Sequence, residues 1–204
     1  MKEQNIMRKA LGEQWQALPA TLRAHYQDED NTDVGVLDIE YPRAMQLFLN
    51  LLHLFGALLN RRGKAIPTTV EKIMNDETQC WKRTLNFPDG KTILFTSRWV
   101  YAEGSQLIEY VNSFLGLRMA VSVKEGELHY AGIHYVLQLG RLRIAIPEWL
   151  MLGHTTIIES QLDETHFVMD FRLHHPLFGQ IYRYAGKFET TTNSRPKLPI
   201  NSSA

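Results

Sequence analysis

The chain has 204 residues, of which 44% are hydrophobic and 22% charged, and this composition is typical of a soluble globular protein with a substantial core. Its 22 basic and 22 acidic residues give a formal net charge of zero. That balance argues against nucleic acid as the main partner, because phosphate binding usually requires an excess of basic residues. A single cysteine, Cys80, excludes an internal disulfide and a cysteine zinc cluster.

The N-terminal part of the chain predicts short helices. Its opening residues contain no apolar stretch of the kind that a secretory signal needs, so we expect a cytoplasmic protein. Across residues 7–26, apolar side chains recur at helical spacing with a break near Pro19, which predicts two short helices. The apolar positions are Leu11, Trp15, Leu18 and Leu22.

Composition then divides the chain into three parts. The polar stretch 27–33 is typical of a loop, and the residues that follow it alternate as a short strand. The C-terminal residues are polar and aperiodic. We therefore expect an N-terminal helical segment over residues 1–32, a single α+β domain over residues 33–190 and a disordered tail over residues 191–204.

The most hydrophobic stretch runs from Met45 to Asn60 and predicts one long helix. Pro42 suits a first helical turn and Gly63 a left-handed cap, so the expected helix covers residues 43–62. Its apolar arc is broad, which predicts burial against the concave face of a sheet, and its polar stripe makes it unsuited to cross a membrane. The stripe consists of Gln46, Asn50, His53 and Asn60.

From about Ala65 to Thr190 the sequence alternates between apolar and polar residues, which predicts antiparallel β-structure. Turn signals separate the alternating runs, and Pro-Asp-Gly at 88–90 is a specific hairpin signal. We expect about nine strands in a curved sheet or barrel-like meander, because curvature limits exposed edges. The predicted fold class is α+β and mainly antiparallel β, with the long helix on the concave face and short N-terminal helices.

Three charged residues interrupt apolar strand faces: Arg83, Glu109 and Glu159. Arg83 shares its face with Trp81 and Leu85, and a buried charge without a partner is costly. One interpretation is a packed core in which Arg83 pairs with Glu109 or Glu159. The other is an apolar pocket in which the guanidinium anchors the carboxylate or phosphate of an amphipathic ligand.

No recognisable metal or catalytic motif is present. His174 and His175 are adjacent on a predicted strand, so their side chains point to opposite faces and cannot bind one metal together. His129 and His134 are separated by an odd step, with the same consequence unless Gly132 marks a bulge. Nucleotide-binding loops and nucleophile signatures are absent too. We therefore predict no metal and no cofactor, and leave open whether the protein is an enzyme.

Five segments carry a resemblance to a known family: LGEQWQALPATLRAHY (11–26), WKRTLNF (81–87), SRW (97–99), IPEWL (146–150) and HPLFGQIYRYAGKF (175–188). Together they resemble a bacterial family known as domain of unknown function 4166. The resemblance implies a bacterial origin and a metabolic setting, since some members are joined to a Rossmann-type, saccharopine-dehydrogenase-like module. It implies no catalytic residue. A reaction that needs such a module would require a separate partner here.

Three functions follow from these features. The favoured one is a small-molecule or lipid-like ligand-binding domain whose apolar pocket takes an amphipathic anion. The second is an enzyme that uses the same pocket, with Arg83 and an acidic neighbour as polarising groups. The third is an interaction domain for another copy of the chain or for a separate dehydrogenase-like partner. The predicted ligand-binding residues are Arg83, Trp81, Trp99, Tyr101, Glu109 and His53.

Overall fold

The computed structural model describes residues 5–54, 56–75 and 78–191. This part of the chain contains three α-helices, which are α1 (Ile6–Leu11), α2 (Ala20–His25) and α3 (Gln46–Leu54). Short 3-10 turns cover Gly12–Ala17, Arg43–Met45 and Glu148–Leu150. The strands are β1 (Asn31–Glu40), β2 (Gly63–Asn75), β3 (Thr78–Asn86), β4 (Thr92–Glu103), β5 (Gln106–Tyr110), β6 (Leu115–Lys124), β7 (Glu127–Leu139), β8 (Leu142–Pro147), β9 (His154–Gln161), β10 (His166–His175) and β11 (Gly179–Thr191).

Ten of these strands close into an antiparallel barrel. Strands β1 to β7 pair in sequence, β7 continues to β9, β10 and β11, and β11 returns to β1. Strand β8 lies outside this ring and pairs with the second half of β7, while β9 pairs with the first half. The prediction of mainly antiparallel β-structure is confirmed, and the expected nine strands are too few.

The connections between strands define two ends of the barrel. We call the end that carries most of the longer connections between barrel strands the upper end. Its segments are 41–54, 56–62, 87–91, 111–114, 176–178 and the β7–β9 connection 140–153, which includes β8. The lower end carries residues 5–30 and the tight turns 104–105, 125–126 and 162–165. The predicted Pro-Asp-Gly hairpin lies at the upper end, where Gly90 takes a φ of 82° that other residues rarely adopt.

Alternation along the strands places one set of side chains inside the barrel. On β3, for example, Trp81 and Leu85 are buried while Lys82 and Thr84 between them are less so. The N-terminal helices belong to the same core, since Met7 and Leu22 are fully buried in one cluster with the barrel interior. Helix α1 contacts β4, β5 and β6, and α2 contacts β9, β10 and β11. The helices therefore cover the lower end.

The expected long helix over residues 43–62 on the concave face is wrong. Helix α3 ends at Leu54, because Gly56 adopts a φ of 67° and the amide of Ala57 bonds the carbonyl of Leu52 at 3.1 Å, as in a Schellman motif. Gly63, expected as the cap, is the first residue of β2.

The polar stripe of this stretch also has a different role from the expected one. The Gln46 amide donates to the Asn60 carbonyl at 2.7 Å, and Asn50 accepts from the Asn60 amide at 2.9 Å. The His53 ring nitrogen lies 3.2 Å from the Leu58 carbonyl. The stripe therefore ties α3 to the residues that follow it, which we call the cap segment (56–62).

Two further predictions concern the ends of the chain and membranes. The predicted disordered tail lies outside the described residues, apart from Thr191, where β11 ends. Among the described residues, no helix has the length and apolar character needed to span a membrane.

Candidate functional site

The barrel interior contains two neighbouring cavities. The upper cavity, of about 80 Å³, is lined mainly by apolar side chains from nine barrel strands and by the cap segment. The lower cavity, of about 40 Å³, lies between the strands and α2. Four residues line both cavities and so form the partition between them: Leu37, Arg83, Glu109 and Tyr184.

The charged part of this partition is a loose ion pair across three adjacent strands. Arg83 on β3 donates from Nη1 to Ser97 Oγ on β4 at 2.9 Å, and from Nη2 to Glu109 Oε1 on β5 at 3.4 Å. A charge-assisted bond is normally about 2.7–2.9 Å long. The Arg83 and Glu109 side chains keep 15% and 12% exposure inside the barrel. The guanidinium therefore has one firm partner and one long contact, next to open space.

Two buried tryptophans line the lower cavity without a hydrogen-bond partner for their indole nitrogens. Trp81 and Trp99 are 3% and 4% exposed, their rings lie 5.4 Å apart, and neither Nε1 meets an acceptor among the described residues. A buried donor left unpaired costs about 1–3 kcal/mol. Both residues that carry these unpaired donors line the lower cavity.

A buried carboxyl group lies beside these rings. The Tyr26 hydroxyl lies 2.9 and 2.8 Å from the two carboxyl oxygens of Glu159 and 2.5 Å from the hydroxyl of Tyr130. Burial raises the pKa of Glu159 above its ordinary value, although His25 and the Tyr26 hydroxyl oppose that shift. Burial also raises the pKa values of both tyrosines, and the nearby Glu159 charge adds to it. Burial in this cluster therefore favours the protonated forms of Glu159, Tyr26 and Tyr130.

A second polar pair holds α2 in place next to that cluster. His25 Nδ1 lies 2.6 Å from Asp33 Oδ2, and Asn31 donates to the other oxygen of Asp33 at 3.0 Å. Lys72 donates from Nζ to the His25 carbonyl at 3.3 Å, and burial lowers the pKa of this amine to about 8. The centre of the His25 imidazole ring lies 4.5 Å from the centre of the Phe167 phenyl ring. A His–Asp pair and a carboxyl group therefore face one small cavity.

The upper cavity is more apolar and is covered by the cap segment. Ala57, Leu58 and Leu59 line it, and the Tyr182 hydroxyl donates to the Leu59 carbonyl at 3.1 Å. Tyr135 is the polar exception: its buried hydroxyl forms no hydrogen bond within the described residues, and burial raises its pKa. Thr155 lies near enough to oppose that pKa shift slightly, but the two hydroxyls do not reach hydrogen-bond geometry.

The structure brings together four of the six predicted ligand-binding residues. Trp81, Arg83, Trp99 and Glu109 all line the lower cavity. Tyr101 does not; its ring lies under Lys9 Nζ, 4.4 Å from the ring centre. His53 is exposed on α3 and bonds the cap segment. The pairing of Arg83 with Glu109 is the one that the packed-core interpretation expects, yet it lies beside a cavity.

Sequence reasoning missed the contribution of the N-terminal residues. His25 and Tyr26 were assigned only to a short helix, and Asp33 to a polar loop, whereas Asp33 is fully buried on β1. A weak signal was available, because Asn31 and Asp33 continue the every-second-residue pattern of Leu37 on the same strand. Polar residues at a strand start resemble a loop, so composition concealed that pattern.

Metal ligands do not converge in the described part of the chain. No group of three or more His, Cys, Asp and Glu side chains there could hold a metal ion. A register shift next to Gly132 shows the bulge that the sequence allowed. His129, however, bonds Glu127 at 3.2 Å on its own strand. The chemistry available in the interior is therefore that of carboxyl, hydroxyl, imidazole and guanidinium groups.

Comparison with known proteins gives one result. No curated protein matches the chain. The family model described as Domain of unknown function (DUF4166) matches residues 18–188, which include every barrel strand up to Phe188 of β11 and every residue of the partition. The chain therefore belongs to the DUF4166 family.

Proposed function

We propose that the barrel binds an amphipathic organic anion, with Arg83 holding the anionic group and the apolar upper cavity taking the hydrocarbon part. The observation that carries this proposal is the loose Arg83–Glu109 pair at the junction of two cavities inside a closed barrel. Ligand sites are typically apolar with a few polar groups that fix orientation. Guanidinium is well suited to carboxylates and phosphates because it can donate two parallel hydrogen bonds.

The unpaired indole N–H groups support the same proposal. Trp81 and Trp99 lie on the strands of Arg83 and Ser97, so an anion drawn to the guanidinium approaches these donors as well. A ligand oxygen that accepts from either ring relieves the cost of a buried, unpaired donor. Such a ligand gains affinity from groups that the protein itself leaves unsatisfied.

The size of the cavities limits how a ligand enters. The upper cavity, at about 80 Å³, is smaller than the ~150 Å³ cavity that admits benzene in a protein core. A longer ligand must therefore displace part of the lining. The cap segment is the part best suited to move, because it has no regular secondary structure. Its side-chain hydrogen bonds run to Tyr41, Gln46, Asn50, His53, Asp89 and Tyr182.

The test uses anilinonaphthalene sulfonate, an amphipathic anion that fluoresces in apolar surroundings, with decanoate and decanol as competitors. The double variant Arg83→Met/Glu109→Gln removes both charges and leaves no buried charge unpaired. We expect it to bind the dye at least about ten-fold more weakly and to lose any preference for decanoate over decanol, since charged hydrogen bonds contribute about 1.5–3 kcal/mol. Equal affinity in the double variant would contradict the proposal.

The matched control is Arg98→Met, on the neighbouring strand. Arg98 is exposed on the outside of the barrel, where its guanidinium lies 5.1 Å from the centre of the Tyr110 ring. The Arg98→Met variant should bind the dye with the same affinity as the unaltered protein. A loss as large as that of the double variant would mean that the dye binds the outer surface.

A second candidate is an enzyme that transfers protons in the lower cavity. The observation in its favour is Glu159, a buried carboxyl with a raised pKa that contacts Tyr26 and faces the same cavity as His25. A carboxyl group with a pKa shifted towards neutrality suits general acid–base catalysis. If a ligand co-purifies, deuterium should enter it from heavy water with the unaltered protein and not with Glu159→Gln. Exchange that the variant retains would show that Glu159 is not the group that transfers the proton.

Three narrower points stay predictions from the sequence: a cytoplasmic location, a bacterial origin and a dehydrogenase-like partner. The last concerns the surface of the barrel and is compatible with either use of its interior.

A further inference from the structure

Exposed apolar side chains are concentrated at the upper end of the barrel. Of the nineteen exposed large hydrophobic residues in the described chain, eleven lie in the upper-end segments and one, Leu162, in those of the lower end. The most exposed are Leu47 and Leu54 on α3 at 81% and 80%, and Leu177 and Phe178 in the β10–β11 turn at 80% and 70%. Isolated exposed leucines are ordinary, but a cluster of them at one end marks an interaction surface.

These side chains come from separate segments, two of which meet each other. The ring of His175 stacks on that of Phe178 at 4.8 Å and bonds the carbonyl of Trp149 at 3.1 Å, which joins the β10–β11 turn to the segment after β8. Leu47, Leu51 and Leu54 share one face of α3, opposite the buried Leu49 and Leu52. We call Leu47, Leu51, Leu54, Trp149, Leu177 and Phe178 the apolar tips.

Charge is distributed unequally between the two ends, although the whole chain is neutral. The described upper-end segments contain six basic and two acidic residues, whereas those of the lower end contain three basic and seven acidic residues. Both upper acidic residues are already engaged, Asp89 with Arg61 and Glu148 with His154. The segments that carry the apolar tips and their upper-end neighbours therefore also carry exposed arginines, among them Arg43, Arg62, Arg141 and Arg143.

We propose that the upper end of the barrel docks on an anionic lipid bilayer, with the apolar tips inserted among the acyl chains and the arginines at the headgroups. The bilayer interface favours surfaces that combine leucine, phenylalanine and tryptophan with arginine. Each basic residue near an anionic surface contributes a factor of roughly five to binding. Protein partners usually bind a contiguous apolar patch. Here the exposed apolar side chains lie on separate segments, two of which also carry basic residues. The proposal does not depend on what the interior binds.

The first experiment is sedimentation with vesicles. The protein should bind vesicles of phosphatidylcholine mixed with phosphatidylglycerol and bind pure phosphatidylcholine vesicles much less. The variant Leu47→Ser/Leu54→Ser/Phe178→Ser should bind the mixed vesicles at least about ten-fold more weakly, since it removes exposed side chains that insert. The variant Arg141→Gln/Arg143→Gln should bind the mixed vesicles more weakly and leave the weak binding to pure phosphatidylcholine unchanged. Added salt should also weaken binding to the mixed vesicles.

The matched control is Val34→Ser/Leu162→Ser, because these two exposed side chains, at 52% and 53%, lie away from the upper end. The control should bind as the unaltered protein does. Absence of vesicle binding, or equal loss in the control and in the tip variant, would overturn the proposal. If vesicles are not bound and the tip variant instead abolishes self-association in gel filtration, the upper end is an interface between two copies of the chain.

A spectroscopic measurement locates the contact directly. All four tryptophans lie in the described part of the chain, and Trp149 is 62% exposed, whereas Trp15, Trp81 and Trp99 are at most 8% exposed. On mixed vesicles, emission should shift to shorter wavelength and brominated lipid should quench it. Trp149→Phe should remove both effects without changing sedimentation by more than a few-fold. Vesicle binding with no change in emission would show that another face docks.

Discussion

Glu159 shows how one residue can lower the stability of the protein that contains it. Its carboxyl group is surrounded by Tyr26, Tyr130 and the tryptophan rings, and burial raises its pKa above the ordinary 4.5. A folded-state pKa above the unfolded value means that the folded protein holds the proton more tightly. Stability is therefore greatest below pH 4.5 as far as this group is concerned, and it falls as the pH rises towards the folded pKa.

The corresponding prediction concerns Glu159→Gln. Glutamine keeps a carbonyl acceptor for Tyr26 and cannot ionise, so the variant should have a higher melting temperature than the unaltered protein at pH 7 and nearly the same one at pH 4. Thermal unfolding followed by circular dichroism measures the difference. Glu189→Gln, exposed on β11, is the control and should show no such dependence. A variant that melts lower at both pH values would instead indicate an ionised Glu159 held by His25.

At this scale, sequence reasoning found residues that break a pattern and missed residues that complete one. Arg83, Glu109 and Glu159 were identifiable because a charge on an apolar strand face demands an explanation. Tyr26 gave no such signal, since a tyrosine at a helix end is unremarkable until the barrel brings it to Glu159, 133 residues away. Proximity across that distance depends on closure of the sheet, and local patterns do not encode it.

Among the elements, the β1–β2 connection departs most from its prediction. A broad apolar arc indicated a helix buried against the concave face of the sheet, but α3 buries Leu49 and Leu52 and leaves Leu47, Leu51 and Leu54 exposed. Hydrophobicity alone does not distinguish a side chain that faces the core from one that lies on an exposed interaction surface. Gly56 was the overlooked stop signal, because a glycine in the last turn favours a left-handed cap.

The segment after β8 supplies a prediction at the scale of elements. Glu148, from the IPEWL segment, accepts from the Thr155 amide at 3.0 Å, and a Cβ added at Gly132 would lie 1.8 Å from its Oε1. Gly132→Ala should therefore displace this carboxylate and lower the free energy of unfolding by about 1–3 kcal/mol. Denaturant unfolding measures the loss.

A double-mutant cycle gives the control for that prediction. Glu148→Ala alone should also destabilise, because the Thr155 amide loses its acceptor. In Gly132→Ala/Glu148→Ala the steric conflict is gone, so the double variant should lose less stability than the two single variants added together. Simple additivity would show that Gly132 is needed for its backbone conformation and not for the space that it leaves.

For the whole molecule, one hydrophobic core joins the N-terminal helices to the barrel. Met7 and Leu22 belong to the same cluster as Leu85 and Phe188, so we expect a single unfolding transition. Leu22→Ala should lower the transition midpoint equally by circular dichroism and by tryptophan fluorescence, at a cost of about 2–5 kcal/mol. Leu47→Ala, at an exposed position, should change it little. Separate transitions would instead mark residues 1–32 as an independent unit.

The overall class of the fold could be predicted, and its closure could not. Period-two patterning and turn signals such as Pro-Asp-Gly indicated consecutive antiparallel strands, because each hairpin is a local event. Nothing local indicates that β11 pairs with β1, or that β7 passes from β8 to β9 along one edge. The two cavities exist only in the closed ring. The sequence therefore identified several residues of the candidate site but not its position in the fold.

The pairing of the first strand with the last affects the rate at which the protein folds. The Asn31 amide donates to the Thr190 hydroxyl across 159 residues of sequence, and the ring remains incomplete until β1 pairs with β11. Chains dominated by such distant pairings fold slowly, in roughly milliseconds to seconds, because chain entropy is spent before the contacts are gained. During synthesis, β1 and β10 each have one unpaired edge until β11 has left the ribosome. We therefore expect residues 179–191 to complete the barrel last, and a nascent chain that pauses before them to be prone to aggregate.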